Sequence, residues 1–204
     1  MKTALALFVF LLGVPLGAQT FEVGLFAGQQ KYPTADFPGR GPAPGSRETL
    51  DNKTVYAARF GYSVADLGPV SFQFTAGFQP ESTSAVHSTS TTSTWDFKEH
   101  HWSAGAMVNL KALVALGAGF EFRSERLSGN EIGRSSSTTY NRVWARLNAG
   151  YAIPSPVVKP FFGVEVAFPL KTMSGPPGSY TTPTDELKML APKNQFGVYA
   201  GIRF

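Results

Sequence analysis

The residues best able to do chemistry in this chain stand together at Glu99-His100-His101-Trp102-Ser103. A serine hydroxyl is a weak nucleophile until an imidazole takes its proton, and the imidazole needs a carboxylate to orient it. In an extended strand His101 and Ser103, two apart, share a face, and Glu121 on the following segment could supply the acid. His100 and His101 also offer imidazoles to a metal, but strand neighbours point to opposite faces and no third ligand is near in sequence, so no metal site is expected. Gly117-Ala118-Gly119 lies inside a strand-like segment and opens no helix, so it cradles no phosphate. The expectation is a polar strand end, with no catalytic residues and no cofactor. A second set consists of charges spaced singly along the chain: Glu22, Arg59, Glu121, Arg142, Arg146, Glu165 and Arg203. Their chemistry is mutual neutralisation, which requires a framework that brings them together.

That framework must be strands. Helical periodicity is scarce, and after the N-terminal stretch no run of 18 or more apolar residues occurs. Alternation over about ten residues recurs instead, the period of a strand with two unlike faces. Eight segments carry it: 20–30, 54–62, 70–79, 97–110, 112–123, 139–151, 158–170 and 194–204. The third is the cleanest, with Phe72, Phe74, Ala76 and Phe78 against Ser71, Gln73, Thr75 and Gly77. The sixth sets Val143, Ala145, Leu147, Ala149 and Tyr151 against Arg142, Trp144, Arg146 and Asn148. In the first segment Phe26 breaks the alternation.

Connector length alternates as well. Long polar stretches, 31–53, 80–96, 124–138 and 171–193, follow the odd segments, and short turns, 63–69, around Lys111 and 152–157, follow the even ones. The serine- and threonine-rich run 82–94 reads as a solvated loop rather than a glycan acceptor. Strands whose two ends differ so consistently face two different compartments. The start of the chain agrees: Met1-Lys2, an apolar run from Ala4 to Leu16 and Leu16-Gly17-Ala18 have the layout of a secretory signal peptide over 1–18. The run falls short of a bilayer-spanning helix, and no cysteine follows it to carry a lipid. Residues 19–204 then form one domain without a disulfide framework. The sequence pI of 9.4 raises nucleic acid as a partner, but the basic residues are scattered and an exported chain does not meet nucleic acid, so none is expected.

The fold class expected is all-β, an eight-stranded antiparallel up-and-down transmembrane β-barrel. Closure removes exposed edges. A soluble ligand-binding barrel would turn its apolar face inward. Here the charged, glycine-rich face is the candidate interior, and the apolar face ends in Phe21, Tyr62, Phe78, Tyr151, Phe168 and Phe204, as a lipid-facing band with aromatic girdles would. The segment 194–204, alternating and ending on Phe204, resembles the terminal signature of Gram-negative outer-membrane β-barrels, and the domain resembles their OmpA-type and OmpX-type eight-stranded members. The resemblance implies the outer membrane as location, with lipid and lipopolysaccharide around the barrel. It makes Phe204 an assembly signal read by the barrel-assembly machinery. It also implies adhesion, surface interaction or envelope integrity through the long loops, with a surface ligand the sequence does not identify. His101 and Ser103 bear a fainter resemblance to the His-x-Ser of outer-membrane lipid A deacylases, with Ala104 where that motif has Asn. A lipid-modifying enzyme and a narrow channel or small-solute carrier are the competing readings. Inside the barrel, Glu165 is expected to pair with Arg146, Glu121 with Arg142 and Glu22 with Arg203. An eight-stranded bore is just wide enough for side chains to fill, so a plugged lumen follows.

Overall fold

The computed structural model of the chain describes residues 20–37, 45–89, 94–111, 114–131, 134–155, 157–173 and 182–204. The expected signal peptide, 1–18, lies outside them. Among the described residues ten strands and one short helix follow in the order β1 (Thr20–Lys31), β2 (Ala35–Phe37), β3 (Ser46–Leu50), β4 (Lys53–Asp66), β5 (Val70–Ser88), β6 (Thr94–Leu110), β7 (Ala115–Glu131), β8 (Arg134–Ala152), β9 (Lys159–Pro169), α1 (Pro183–Met189) and β10 (Asn194–Arg203).

Eight of the strands close into a ring, each antiparallel to its neighbours, with β1 between β4 and β10 and the ladder between β5 and β6 completing the circle. At closure Val23 faces Ile202 and Leu25 faces Ala200, so the alternating faces of the first and last strands coincide. The short turns gather at one end with Thr20 and Arg203, and the long connectors at the other. Gly68, the first residue past Leu67, takes φ 77, a left-handed conformation in which a side chain would be strained.

All four long connectors hold more regular structure than their polarity suggests, the last of them α1. Much of 80–96 and 124–138 belongs to β5, β6, β7 and β8, whose hairpin ladders run on to the pairs His87↔Thr94 and Glu131↔Arg134. The threonines and serines that read as loop suit strands, because beyond the apolar belt the outward face of a hairpin tolerates hydroxyls. β5 passes through Pro80, which donates no ladder bond, by means of a register shift between Gln79 and Ser82. The first connector contains β2 and β3, and β3 extends the sheet along the outer part of β5.

The apolar face points outward. Leu25, Phe74, Phe120, Leu147, Val164 and Val198 are all exposed, and together with their neighbours form a belt around the ring. Phe21 and Tyr62 stack at the turn end with ring centroids 4.8 Å apart, and Phe78 and Trp102 at the loop end at 4.3 Å. Such rings, apolar in body with a polar edge on tyrosine and tryptophan, suit the two borders of a bilayer. An apolar belt this extensive would be an aggregation liability in water and is matched to a hydrocarbon solvent. Phe120, at 59% exposure in mid-belt, gives a direct check. Phe120→Arg is expected to cost about 2–4 kcal/mol of stability in bilayers of normal thickness. In urea titrations of the refolded protein, a cost near zero would contradict a lipid-facing belt.

Candidate functional site

The inward face is polar, and its charges meet. Near the turn end Arg203 of β10 donates to Glu22 of β1, directly opposite in the ladder. Deeper in, Glu165 on β9 accepts from two arginines at once. Arg146 Nε donates to its Oε2 at 2.7 Å and Arg59 Nη2 to its Oε1 at 2.9 Å, across the bore from β4. Arg59 can cross because Gly77 beside it has no Cβ, which would stand 2.7 Å from Nη1. Glu121 is the hub of the next layer. Arg123 Nε donates to it at 2.5 Å, and Arg146 and Arg59 lie 3.6 and 3.8 Å away. Above these, Arg142 Nε donates to Glu125 at 2.9 Å and Trp144 Nε1 to the same carboxylate at 2.8 Å. The Trp144 ring lies between the guanidinium groups of Arg123 and Arg142, at 3.9 and 5.0 Å. All of these except Glu22 and Arg203 are buried. Buried charges survive only when paired and hydrogen-bonded, and each of these carboxylates has at least one arginine.

One sequence expectation changes here. Arg142 does not pair with Glu121. The register sets Glu121 opposite Trp144 and Arg123 opposite Arg142, so Arg142 turns towards the loop end and takes Glu125. The Glu99-to-Ser103 stretch lies where the alternation places it, with His101 and Ser103 on the inward face. Glu99, His101 and Ser103 step by two along β6 into the lumen and are all buried, His101 completely. His101 Nδ1 donates to Glu99 Oε1 at 2.9 Å, so the acid beside the histidine is Glu99 of the same strand, while Glu121 is committed to its arginines. Glu99 Oε2 accepts from Gln30 at 2.6 Å and Gln79 at 3.0 Å, and Gln79 is tied on to Gln195. A nucleophile closed inside the barrel wall cannot meet an acyl chain in the bilayer. Ser103→Ala and His101→Ala are therefore expected to leave lipid A composition unchanged. A serine-dependent loss of one acyl chain in mass spectra of extracted lipid A would reverse that.

At the loop end the interior becomes apolar. Val86, Phe97 and Leu127, inward on the extended hairpins, pack with Ala35 and Phe37 of β2 and with Leu187, Met189 and Leu190 in or just after α1. The helix is placed by Thr182, whose Oγ1 accepts from Asp185 N at 3.3 Å, with Pro183 in its first turn. Its apolar side then faces down into the barrel mouth. Tyr32 joins roof to lumen: its ring meets Phe97 edge-on at 5.8 Å and its hydroxyl accepts from Gln30 at 3.0 Å. Burial, reinforced by the Glu99 charge, pushes the Tyr32 hydroxyl up to about 12, so it stays protonated. Beside the roof an outer cavity of about 360 Å³ is lined by Asp36, Arg142, Met173, Lys188, Met189 and Lys193. At the opposite end Phe204 is exposed, and its N–H donates to Phe21 O at 2.9 Å.

Sequence reasoning missed Arg123, Glu125, Glu99 and the glutamines Gln30, Gln79 and Gln195 as members of the network. Continuing the two-residue step from Glu121 through Arg123 to Glu125 would have found two of them. Phe26, which broke the alternation, is an apolar inward residue packed on Val55 and Ala57, with Arg59 over its ring at 5.4 Å.

The closed antiparallel ring, the outer apolar belt between aromatic borders and the charge-paired interior define a transmembrane β-barrel. No protein-family model matches the sequence, and no curated protein matches it. Solved structures similar to the chain are those of Ail, the attachment invasion locus protein of Yersinia pestis, in complex with the heparin analogue sucrose octasulfate, and of Neisserial surface protein A. Ail is 12% identical over 92% of this chain and 99% of that one, with a TM-score of 0.46. Neisserial surface protein A is 15% identical over 92% and 96%, with a TM-score of 0.44. At such identities and scores the likeness bears on no residue of the site.

Proposed function

We propose that the chain is a surface protein of the outer membrane that works through its roofed loop end, in adhesion, surface interaction or envelope integrity, and neither catalyses a reaction nor conducts. One observation carries this reading: buried, mutually paired charges occupy the bore and an apolar roof covers its loop end, so a partner engages the structure from outside. In this reading 1–18 is the export signal, lipid and lipopolysaccharide contact the belt, and the barrel-assembly machinery recognises the closing strand with Phe204. The cavity beside the roof, with Lys188 and Lys193 against the single carboxylate Asp36 and two methionines, suits a partner with acidic and apolar groups.

The absence of cysteine makes the topology easy to test. Thr89→Cys, in the outer hairpin, should react with a membrane-impermeant maleimide on intact cells, and Leu67→Cys, in a turn, only after lysis. The reverse pattern would invert the barrel, and recovery in the soluble periplasm would end the membrane reading. Deleting the gene should alter cell attachment or detergent sensitivity. A deletion strain unchanged in both would contradict the surface role.

A further inference from the structure

Between the Glu22–Arg203 pair and the Arg59 layer the lumen is not filled. A cavity of about 80 Å³ lies there, reaching the turn end beside half-buried Arg203. Its wall includes Arg59, Gln73, Arg146, Asn148 and Tyr199. Two donors of wall residues have no acceptor in the protein, Arg59 Nε and Gln73 Nε2, whereas Arg59 Nη1 sits beside Gly77 with Glu121 Oε2 at 3.8 Å. Arg59 and Gln73 are 7% and 6% exposed, so bulk water does not serve them freely. Buried donors left without acceptors are costly, more so on a charged group.

The charge count points the same way. Arg59, Arg123 and Arg146 share two carboxylates, Glu121 and Glu165. The carboxylate that balances the third arginine over the whole lumen is Glu99, one layer towards the roof, and its oxygens are taken by His101, Gln30 and Gln79. The remaining charged groups on the cavity wall cancel in pairs, Arg203 with Glu22 and Lys111 with Asp66. On the wall itself four cations, Arg59, Lys111, Arg146 and Arg203, stand with one carboxylate, Glu22.

We propose that this turn-end cavity binds a small oxyanion of the size of phosphate. Arg59 Nε and Gln73 Nε2 are its donors, with the Arg59 and Arg146 guanidinium groups as its counter-charge. Guanidinium recognises tetrahedral oxyanions through neighbouring N–H groups, and a cavity open only at the turn end admits such an ion from the side on which both ends of the ring lie. The site is independent of what the roof binds.

The test uses the full barrel refolded in detergent, with inorganic phosphate as probe at constant ionic strength against chloride. Equilibrium dialysis with labelled phosphate should show one ion per barrel. Gln73→Leu, which removes one donor and no charge, should weaken binding by about 10-fold or more. Gly61→Ala gives a second variant, because its new Cβ would meet Gln73 Nε2 and displace that donor. It should abolish binding while the barrel still shows its heat-modifiable band shift. Equal binding by wild type and both variants would overturn the site. So would no binding at millimolar phosphate, or a crystal structure grown in phosphate with water alone in the cavity.

Discussion

Glu165→Gln lowers the stability of the detergent-folded barrel by about 3–5 kcal/mol, the cost of leaving buried charge without its partner. The size follows from what Glu165 holds. Its two oxygens take Arg59 at 2.9 Å and Arg146 at 2.7 Å, and without it those arginines and Arg123 are left to Glu121 alone. Glutamine keeps the shape and one acceptor, so the loss is electrostatic rather than steric. Adding Arg146→Gln returns the local charge to its native excess and should recover more than half of the loss. Urea unfolding midpoints of the wild type, both single variants and the double variant read this directly. Simple additivity would mean that the two residues do not act as a pair.

Trp144→Ala is the second large effect, also about 3–5 kcal/mol. The indole is wholly buried between the guanidinium groups of Arg123 and Arg142, which face each other in the β7–β8 register. Alanine leaves a hole and removes the ring that separates two like charges. It also deprives Glu125 of the donor at 2.8 Å. Trp144→Phe keeps the stacking surface and loses the N–H alone, so its cost should be nearer 1–3 kcal/mol, roughly that of one buried hydrogen bond to a charged group. A Trp144→Ala variant within about 1 kcal/mol of wild type, against the loss expected for an emptied core site, would mean that the indole is not part of the plug.

The barrel was legible because its signal is a two-residue period with one apolar and one polar face, broken in the first segment by Phe26. Where the period continued but the composition turned polar, it was lost. The outer parts of β5 to β8 carry serine, threonine and charge on the outward face that has left the bilayer, and only a few apolar residues, Val86, Phe97 and Leu127, on the inward one. Lumen membership was readable residue by residue, because an inward position follows from parity alone. Partner choice was not. Whether Arg142 reaches Glu121 or Glu125 depends on the exact register between β7 and β8 and on which end of the barrel the side chain leans towards. The roof was hidden for a different reason: Leu187, Met189 and Leu190 are too few and too close to a proline to announce a helix, and they gain meaning only against Phe97 and Leu127, far away in sequence.

The closed lumen is the central claim, and planar-bilayer recording tests it most directly. Wild-type protein, first shown to float with liposomes and to give the band shift of a folded barrel, should show no steady conductance when those liposomes fuse with the bilayer. Glu165→Gln, in the same assay, should admit brief openings at most. A large, stable, ohmic pore from the wild type would contradict the account.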